Sequence, residues 1–365
     1  MNGLNVVSLF DGGCCGHMAL DRANIQISNY FASEIDKWAI KVSSAMFPDI
    51  KHIGDVRGVK GADLPKIDLL IGGSPCQDLS LAGGRAGLEG ARSGLFWEYV
   101  RVLEETKPKY FLLENVIPAN VQDAKTISKI LGVDPVCINS ALVSAQNRER
   151  LYWTNIPGTE ATLFGNVIAQ PEDRGIFLKD ILEGGFVDRE KSYCLDAHYF
   201  KTMGNPENML VGGHARNNRQ IVFEPAPITK RSINNIKNEN EKSNTLLAGI
   251  HKGAQANGMT NIPICVGNVN PSGRGMNGRV FSVEGKICTL TTNKGEGIKV
   301  FIDLPDGSYI IRKLTPLECC RLQTYDERCF IVCPDISNTQ WYKIFGNGWT
   351  VDVIAHIFQG LKKEC

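Results

Sequence analysis

Short apolar runs, each closed by glycine, proline or an acidic residue, recur through the first half of the chain. Residues 4–10 read as a buried strand, and residues 17–24 as a helix with Met18, Leu20 and Ala23 on its apolar side. Tyr30 to Ser33 gives a second short strand, followed by helical periodicity from Ile35 to Met46. His52 to Val56 ends a third strand, and Leu69 to Ile71 is a fourth that stops at Gly72-Gly73. Leu95 to Glu105 is helical, with Pro108 ending that segment. Tyr110 to Leu113 is a fifth strand, and Leu151 to Trp153 is strand-like. Strands alternating with helices predict an α/β fold.

The chemistry-bearing residues fall at the ends of these strands. Asp11 to Gly16 is a glycine-rich turn between the first strand and helix, a Rossmann-type opening that lets backbone approach a ligand. Its spacing is not that of the dinucleotide G-x-G-x-x-G. Glu34 lies 18 residues beyond Gly16, where such folds place an acid on ribose hydroxyls, or else it caps the next helix. Asp55 is a further acid at a strand end. After Ser74, Pro75 fixes φ and presents Cys76 on a loop at the end of the fourth strand. The plainer alternative for Cys76 is a buried structural cysteine. Residues 81–94 hold five glycines and two arginines, a cationic loop too long to be a mere connection. Glu114 follows the fifth strand, where a carboxylate is costly unless paired. Arg148 and Arg150 are two residues apart on an extended segment and so share one side.

The second half has a different texture. From about residue 166 the pattern breaks into turn signals, and residues 201–300 contain 15 Asn and 13 Gly. They read as short strands and loops, an insertion into the α/β pattern. The chain carries a net charge of only +1, yet residues 201–300 hold 13 Lys+Arg against 6 Asp+Glu, and the remainder 27 against 33. Such a basic segment fits a polyanion, or a solvated surface. Lys242 to Leu247 faintly resembles Lys286 to Thr291. Periodicity returns over residues 312–323, where Thr315, Pro316 and Glu318 form a helix start with a capping box. Phe345 to Thr350 precedes a last helix from Val351 to Leu361.

Composition, 43% hydrophobic and 22% charged over 365 residues, is that of an ordinary globular protein of one large and one smaller domain. No apolar run approaches the roughly 18 residues of a membrane span. The start of the chain lacks a signal-peptide pattern. The 12 cysteines are scattered with no CxxC pair, so a reducing cytosol is expected and no metal site.

A glycine-rich turn, a ribose-binding acid and an adenine-side acid are what an S-adenosylmethionine-like ligand needs. A cysteine and a carboxylate beside that pocket suit covalent chemistry on an electron-poor ring. Carbon 5 of cytosine becomes enamine-like once a thiolate adds to carbon 6 and an acid engages ring nitrogen 3.

Phe10-Asp11-Gly12-Gly13-x-x-Gly16, Ser74-Pro75-Cys76-Gln77, Glu114-Asn115-Val116, Gln146-x-Arg148-x-Arg150, the 314–323 helix and Gly346 to Val351 occur in one order. Over essentially the whole chain this resembles the DNA (cytosine-5) methyltransferases of the stand-alone bacterial or phage type. The resemblance implies a Rossmann-like S-adenosylmethionine-dependent domain (1–165), a smaller strand- and loop-rich target recognition domain (166–305), and a return to the catalytic domain (306–365). Within that return, 312–323 is the helix supporting the recognition domain and 345–361 the cofactor-site helix. It implies Cys76 as nucleophile, Glu114 on the cytosine edge, and Arg148 and Arg150 on the flipped nucleotide. It implies a cofactor pocket of Phe10, Asp11, Gly12, Gly13, Gly16, Glu34, Ile35, Asp55, Val56, Ser74, Pro75, Asn347, Gly348 and Trp349. The implied partner is double-stranded DNA, with a cognate restriction endonuclease in a restriction-modification setting. A monomer in the cytoplasm of a bacterial or phage-infected cell is expected. Asp78-Leu79-Ser80 and Trp349 look closer to the animal de novo branch. The tRNA-directed branch shares Pro-Cys-Gln and Glu-Asn-Val but carries a Cys-Phe-Thr signature that this sequence lacks. A non-catalytic binding module predicts loss of Cys76, Glu114 or the arginines, and an oxidoreductase leaves Cys76 and Glu114 without a role.

Overall fold

The computed structural model describes residues 3–74, 94–118, 120–162, 165–187, 189–197, 199, 220–225, 265–268, 279–282, 299–304 and 307–363. The chain divides into two compact units. The first comprises Met1–Ile181, Arg189–Phe200 and Thr315–Cys365, and the second Leu182–Asp188 and Lys201–Leu314. Residues 166–181 and 189–200, read from texture as part of the insertion, thus cluster with the first unit.

The first unit is built on β1 (Leu4–Leu9), β2 (Ile27–Ser33), β3 (Lys51–His52), β4 (Leu69–Gly72), β5 (Tyr110–Asn115), β6 (Val136–Asn139) and β7 (Glu149–Thr154). Their order in the sheet is β3-β2-β1-β4-β5-β7-β6. β1 to β5 pair in parallel, and β7 runs antiparallel to both β5 and β6. The fold is α/β and Rossmann-like, as expected. Val6, Val7, Leu9, Leu69, Leu70, Ile71, Leu112 and Leu113 are fully buried. That is why their strands are continuous apolar runs: helices cover both faces of a parallel sheet.

The connecting helices are α1 (Cys15–Arg22), α2 (Lys37–Met46), α3 (Gly94–Thr106) and α4 (Val121–Leu131). The C-terminal part adds α5 (Pro316–Leu322), α6 (Arg328–Val332), α7 (Asn338–Asn347) and α8 (Val351–Phe358). α8 packs on α1. Among the described residues no helix is long and apolar enough to cross a membrane.

Three expectations are corrected. α2 begins two residues later than Ile35 and is capped by Asp36, whose carboxylate accepts from Trp38 N and Ala39 N, so Glu34 is not its cap. The periodic stretch from Arg312 splits: Arg312 and Lys313 end a strand, and α5 starts at Pro316 with the expected Thr315–Glu318 capping box. The segment 345–361 is not one helix, because Phe345 to Asn347 close α7 and Gly348 to Thr350 turn the chain into α8.

β8 (Glu160–Thr162) and β9 (Gly165–Val167) form a small hairpin. The second unit holds a five-stranded sheet of β10 (Ile221–Pro225), β11 (Cys265–Asn268), β12 (Arg279–Ser282), β13 (Lys299–Leu304) and β14 (Gly307–Lys313). Its order is β10-β14-β13-β12-β11, with β12–β13 parallel and the other pairs antiparallel.

Candidate active site

Strand register aligns the sequence-predicted residues along one edge. Leu9 pairs with Ser33 on one side and Gly72 on the other, and Gly72 pairs with Leu113. The residues that follow each of these are Phe10, Glu34, Gly73 and Glu114; the first three leave the sheet there, and Glu114, still paired with Tyr152 of β7, ends up beside them. At the usual strand spacing, the step from β2 to β5 is about 14 Å. The chain winds from β1 outward to β3, then crosses to β4 on the other side of β1. This edge is thus the topological switch point, where open α/β sheets bind ligands.

The glycine-rich turn is tightly shaped. Phe10, Gly12 and Cys14 have φ of 59°, 58° and 61°. Left-handed backbone suits Gly12 and is uncommon for Phe10 and Cys14, so surrounding contacts must hold the turn. Those contacts are visible. Gly12 N donates to Glu34 Oε2 at 2.8 Å, and Tyr325 donates its hydroxyl to the Gly13 carbonyl. Glu34 Oε1 accepts from Ile35 N at 2.7 Å and Asp36 N at 2.8 Å. Glu34 therefore ties β2 to the turn and keeps one acceptor site of its carboxylate to spare. Ile35 beside it is 72% exposed.

Asp11 is buried, with Tyr30 donating to its Oδ1 at 2.7 Å and Oδ2 without a hydrogen-bond partner among the described residues. Burial pushes its carboxyl up to about 6, against the opposing Tyr30 hydrogen bond. Asp55 caps the 3-10 turn Val56–Gly58 and pairs with Arg57, whose hydrogen bonds hold its carboxyl down at about 2. Val56 is buried beneath it, and Gly16 lies buried inside α1.

Glu114 lies at the end of β5, buried but paired on both oxygens. Arg150 Nε is 3.1 Å from Oε1, and Trp349 Nε1 donates to Oε2 at 3.1 Å. Because β7 runs antiparallel to β5, its first residues arrive at the edge where β5 ends. Gly73 passes against the same carboxylate: a Cβ there would sit 2.8 Å from Trp349 Nε1 and 2.9 Å from Glu114 Oε2. Asn115 Nδ2 donates to Ser74 Oγ at 3.1 Å, fixing the chain where β4 ends.

Both arginines point to one side, as their spacing predicts, but they do different things. Arg150 turns to Glu114. Arg148 is buried and donates to the carbonyls of Leu195 (3.0 Å) and Gly348 (2.9 Å). Arg148 thereby anchors the Gly348–Trp349 turn that delivers the indole. Asn347 closes α7 and is exposed. Pro75, Cys76 and residues 81–93 lie outside the described residues.

Sequence reasoning missed Gln323, Tyr325 and Cys194. Buried Gln323 joins Phe345 O, Gly348 O, Thr350 Oγ1 and Gln146. Gln323 stood in a recognised motif, but nothing in the sequence shows its reach. Tyr325 had no signal at all.

The C-5 cytosine-specific DNA methylase family model matches residues 4–363. The orphan methyltransferase M.SPRI of Bacillus phage SPR is 30% identical, covering 99% of this chain and 98% of that protein. The type II methyltransferase M1.ScrFI of Lactococcus lactis subsp. cremoris is 28% identical, over 91% of this chain and 71% of that protein. Among solved structures, the Entamoeba histolytica methyltransferase EhMeth superposes with TM-score 0.61 at 14% identity, covering 100% of this chain and 99% of its own. The S. pombe Dnmt2 methyltransferase gives 0.55 at 15% identity, covering 99% of each chain. These two support the fold alone. The match along nearly the whole sequence shows that the chain belongs to the C-5 cytosine-specific DNA methylases and is a DNA (cytosine-5-)-methyltransferase.

Proposed function

We propose that the protein methylates cytosine in a short duplex DNA sequence using S-adenosylmethionine, with Cys76 as nucleophile and Glu114 as the group that engages the base. The setting is phage self-protection or restriction-modification. The observation that carries this reading is the Glu114 carboxylate, held between Arg150 and Trp349 and lying against Gly73, three residues before Cys76.

The strand edge fits the cofactor. Glu34 has an acceptor site to spare beside exposed Ile35, and Asp11 Oδ2 is a buried acceptor without a hydrogen-bond partner among the described residues. Phe10 to Gly13, Gly16, Glu34, Ile35, Asp55, Val56, Ser74, Pro75 and Asn347 to Trp349 are assigned to hold it. When bound, it supplies an electrophilic methyl group.

The Cys76 thiolate adds to carbon 6 of a flipped-out cytosine, forming a carbon–sulfur bond and moving the ring electron pair toward carbon 5. The Glu114 carboxylic acid donates its proton to ring nitrogen 3, neutralising the negative charge that develops there, and becomes a carboxylate facing Arg150 and Trp349. After methyl transfer, a base from solvent takes the carbon 5 proton, the electron pair of that bond re-forms the 5,6 double bond, and the carbon–sulfur bond breaks to release the thiolate. Arg150 fixes the Glu114 rotamer, and Arg148 fixes the turn carrying Trp349. The recognition function is assigned to 166–305, whose basic residues would contact phosphate; most of them lie outside the described residues.

The test is transfer of labelled methyl to genomic DNA of varied composition and to total tRNA, followed by base-resolution mapping. Labelled cytosines in one short DNA motif support the reading, and label on tRNA alone overturns it. Cys76→Ala should bind cofactor but not turn over; retained methylation sinks the nucleophile assignment.

A further inference from the structure

We propose that Cys194 is a positioning residue for methyl transfer: its sulfur holds the Arg150 guanidinium against Glu114. The proposal rests on the assignment of Glu114 and Arg150 made above.

The Arg150 guanidinium is engaged at each nitrogen. Nε faces Glu114 Oε1 at 3.1 Å, Nη1 donates to the Glu149 carbonyl at 2.8 Å, and Nη2 donates to Cys194 Sγ at 3.6 Å. The Glu149 carbonyl moves with the arginine's own strand. Among the described residues, Cys194 is, apart from Glu114 itself, the partner that comes from a different part of the chain, and it fixes the plane of the fork.

The same sulfur accepts from Arg148 Nη1 at 3.3 Å. Arg148 is itself buried and pinned by the Leu195 and Gly348 carbonyls. Cys194 therefore links Arg150 to a fixed anchor. Two guanidiniums sharing one acceptor repel, and a thiolate between them would cancel that repulsion where a neutral thiol would not. The crowded surroundings alone would push the Cys194 thiol up. The charges and hydrogen bonds of Arg148 and Arg150 together outweigh them and bring it below its ordinary range. The residue still keeps contact with solvent, so its ionisation can be read chemically.

The test compares Cys194→Ala, Cys194→Ser and Arg150→Ala in the full chain with S-adenosylmethionine and methylatable DNA. We expect Cys194→Ala to lower kcat about tenfold, the scale of one lost hydrogen bond to a charged group. The KM for DNA should stay within about twofold. Cys194→Ser should recover part of kcat and lose the rise of turnover with pH that belongs to thiol ionisation. In the wild-type chain, site-resolved iodoacetamide labelling should give Cys194 a midpoint below the ~8.5 of a free thiol. Arg148→Gln should raise that midpoint.

Wild-type turnover by Cys194→Ala beside an inactive Arg150→Ala overturns the positioning role and leaves the Glu114–Arg150 assignment standing. Full activity of Arg150→Ala overturns both. Should Cys194→Ala fail to fold, the serine variant's pH profile and the labelling midpoint decide: an unshifted midpoint with an unaltered profile overturns the proposal.

Discussion

Trp349 donates its indole N–H to Glu114 across 235 residues of sequence, at 3.1 Å. The bond closes the candidate site from the C-terminal side and leaves the carboxylate a second fixed direction besides Arg150. Trp349→Phe keeps an aromatic ring and removes the donor together with the second ring of the indole. We expect single-turnover methyl transfer to slow about tenfold, as for other hydrogen bonds to a charged group. DNA affinity measured by titration should be unchanged. An unaltered rate would mean that the indole only fills space.

Gly73 tests the same carboxylate from the other side. A methyl group there would press on both the indole nitrogen and the Glu114 oxygen, so one of them must move. Gly73→Ala should cost about 1–3 kcal/mol of stability as an overpacked site. It should lower turnover about 100-fold, since small misplacements of reacting groups cost rate far more than they cost stability. Urea unfolding and steady-state kinetics separate the two effects. Comparable losses in both would show general disruption.

The sheet and the strand-end chemistry were legible because the burial they need is written in sequence. Leu69 to Ile71 and Tyr110 to Leu113 are apolar throughout, and each stops where a functional residue begins. β6 escaped because Val136 to Asn139 is an edge strand with only Ile138 buried, and its short apolar stretch ends at no glycine, proline or acidic residue. α4 escaped because only Ile127 and Leu131 of it are buried. The division of labour between Arg148 and Arg150 was not legible either. Their equal spacing from the strand shows the shared side, but not that Leu195 and Gly348 would offer carbonyls to one of them. Glu34 had two readings, and only the fold shows its carboxylate turned back to Gly12.

Asp11 makes a pH prediction. Burial raises its carboxyl to about 6 in the folded chain, against about 3.9 unfolded. The folded state then binds the extra proton between these values, so its contribution is full below about 4 and is lost as pH rises through about 6. The difference is about 3 kcal/mol above that window. Asp11→Asn keeps an acceptor for Tyr30 without the charge. Its thermal midpoint should exceed that of the wild type at pH 8 and lose the advantage near pH 4. Parallel pH curves for the two proteins would contradict the raised carboxyl.

Gln323 carries the last prediction. Its side chain donates to Phe345 O at 2.6 Å and Gly348 O at 3.3 Å, and accepts from Thr350 Oγ1 at 2.8 Å. Leucine has a similar volume and none of these bonds. Gln323→Leu should lower the unfolding free energy by about 3 kcal/mol, read as a lower urea midpoint with an unchanged slope, because buried carbonyls and a hydroxyl lose their partner. Gln323→Glu separates polarity from charge. When protonated it can still donate to Phe345 O and accept from Thr350, but ionisation in this buried place is costly, so its folded carboxyl should lie above the usual range. Its stability should therefore approach the wild type near pH 4 and fall as pH rises above that, through the raised folded value of the carboxyl. Since Gly348 also receives Arg148, methyl transfer by the glutamate variant should decline over the same pH interval. Equal stability of the glutamate and leucine variants at low pH would show that Gln323 acts through volume alone.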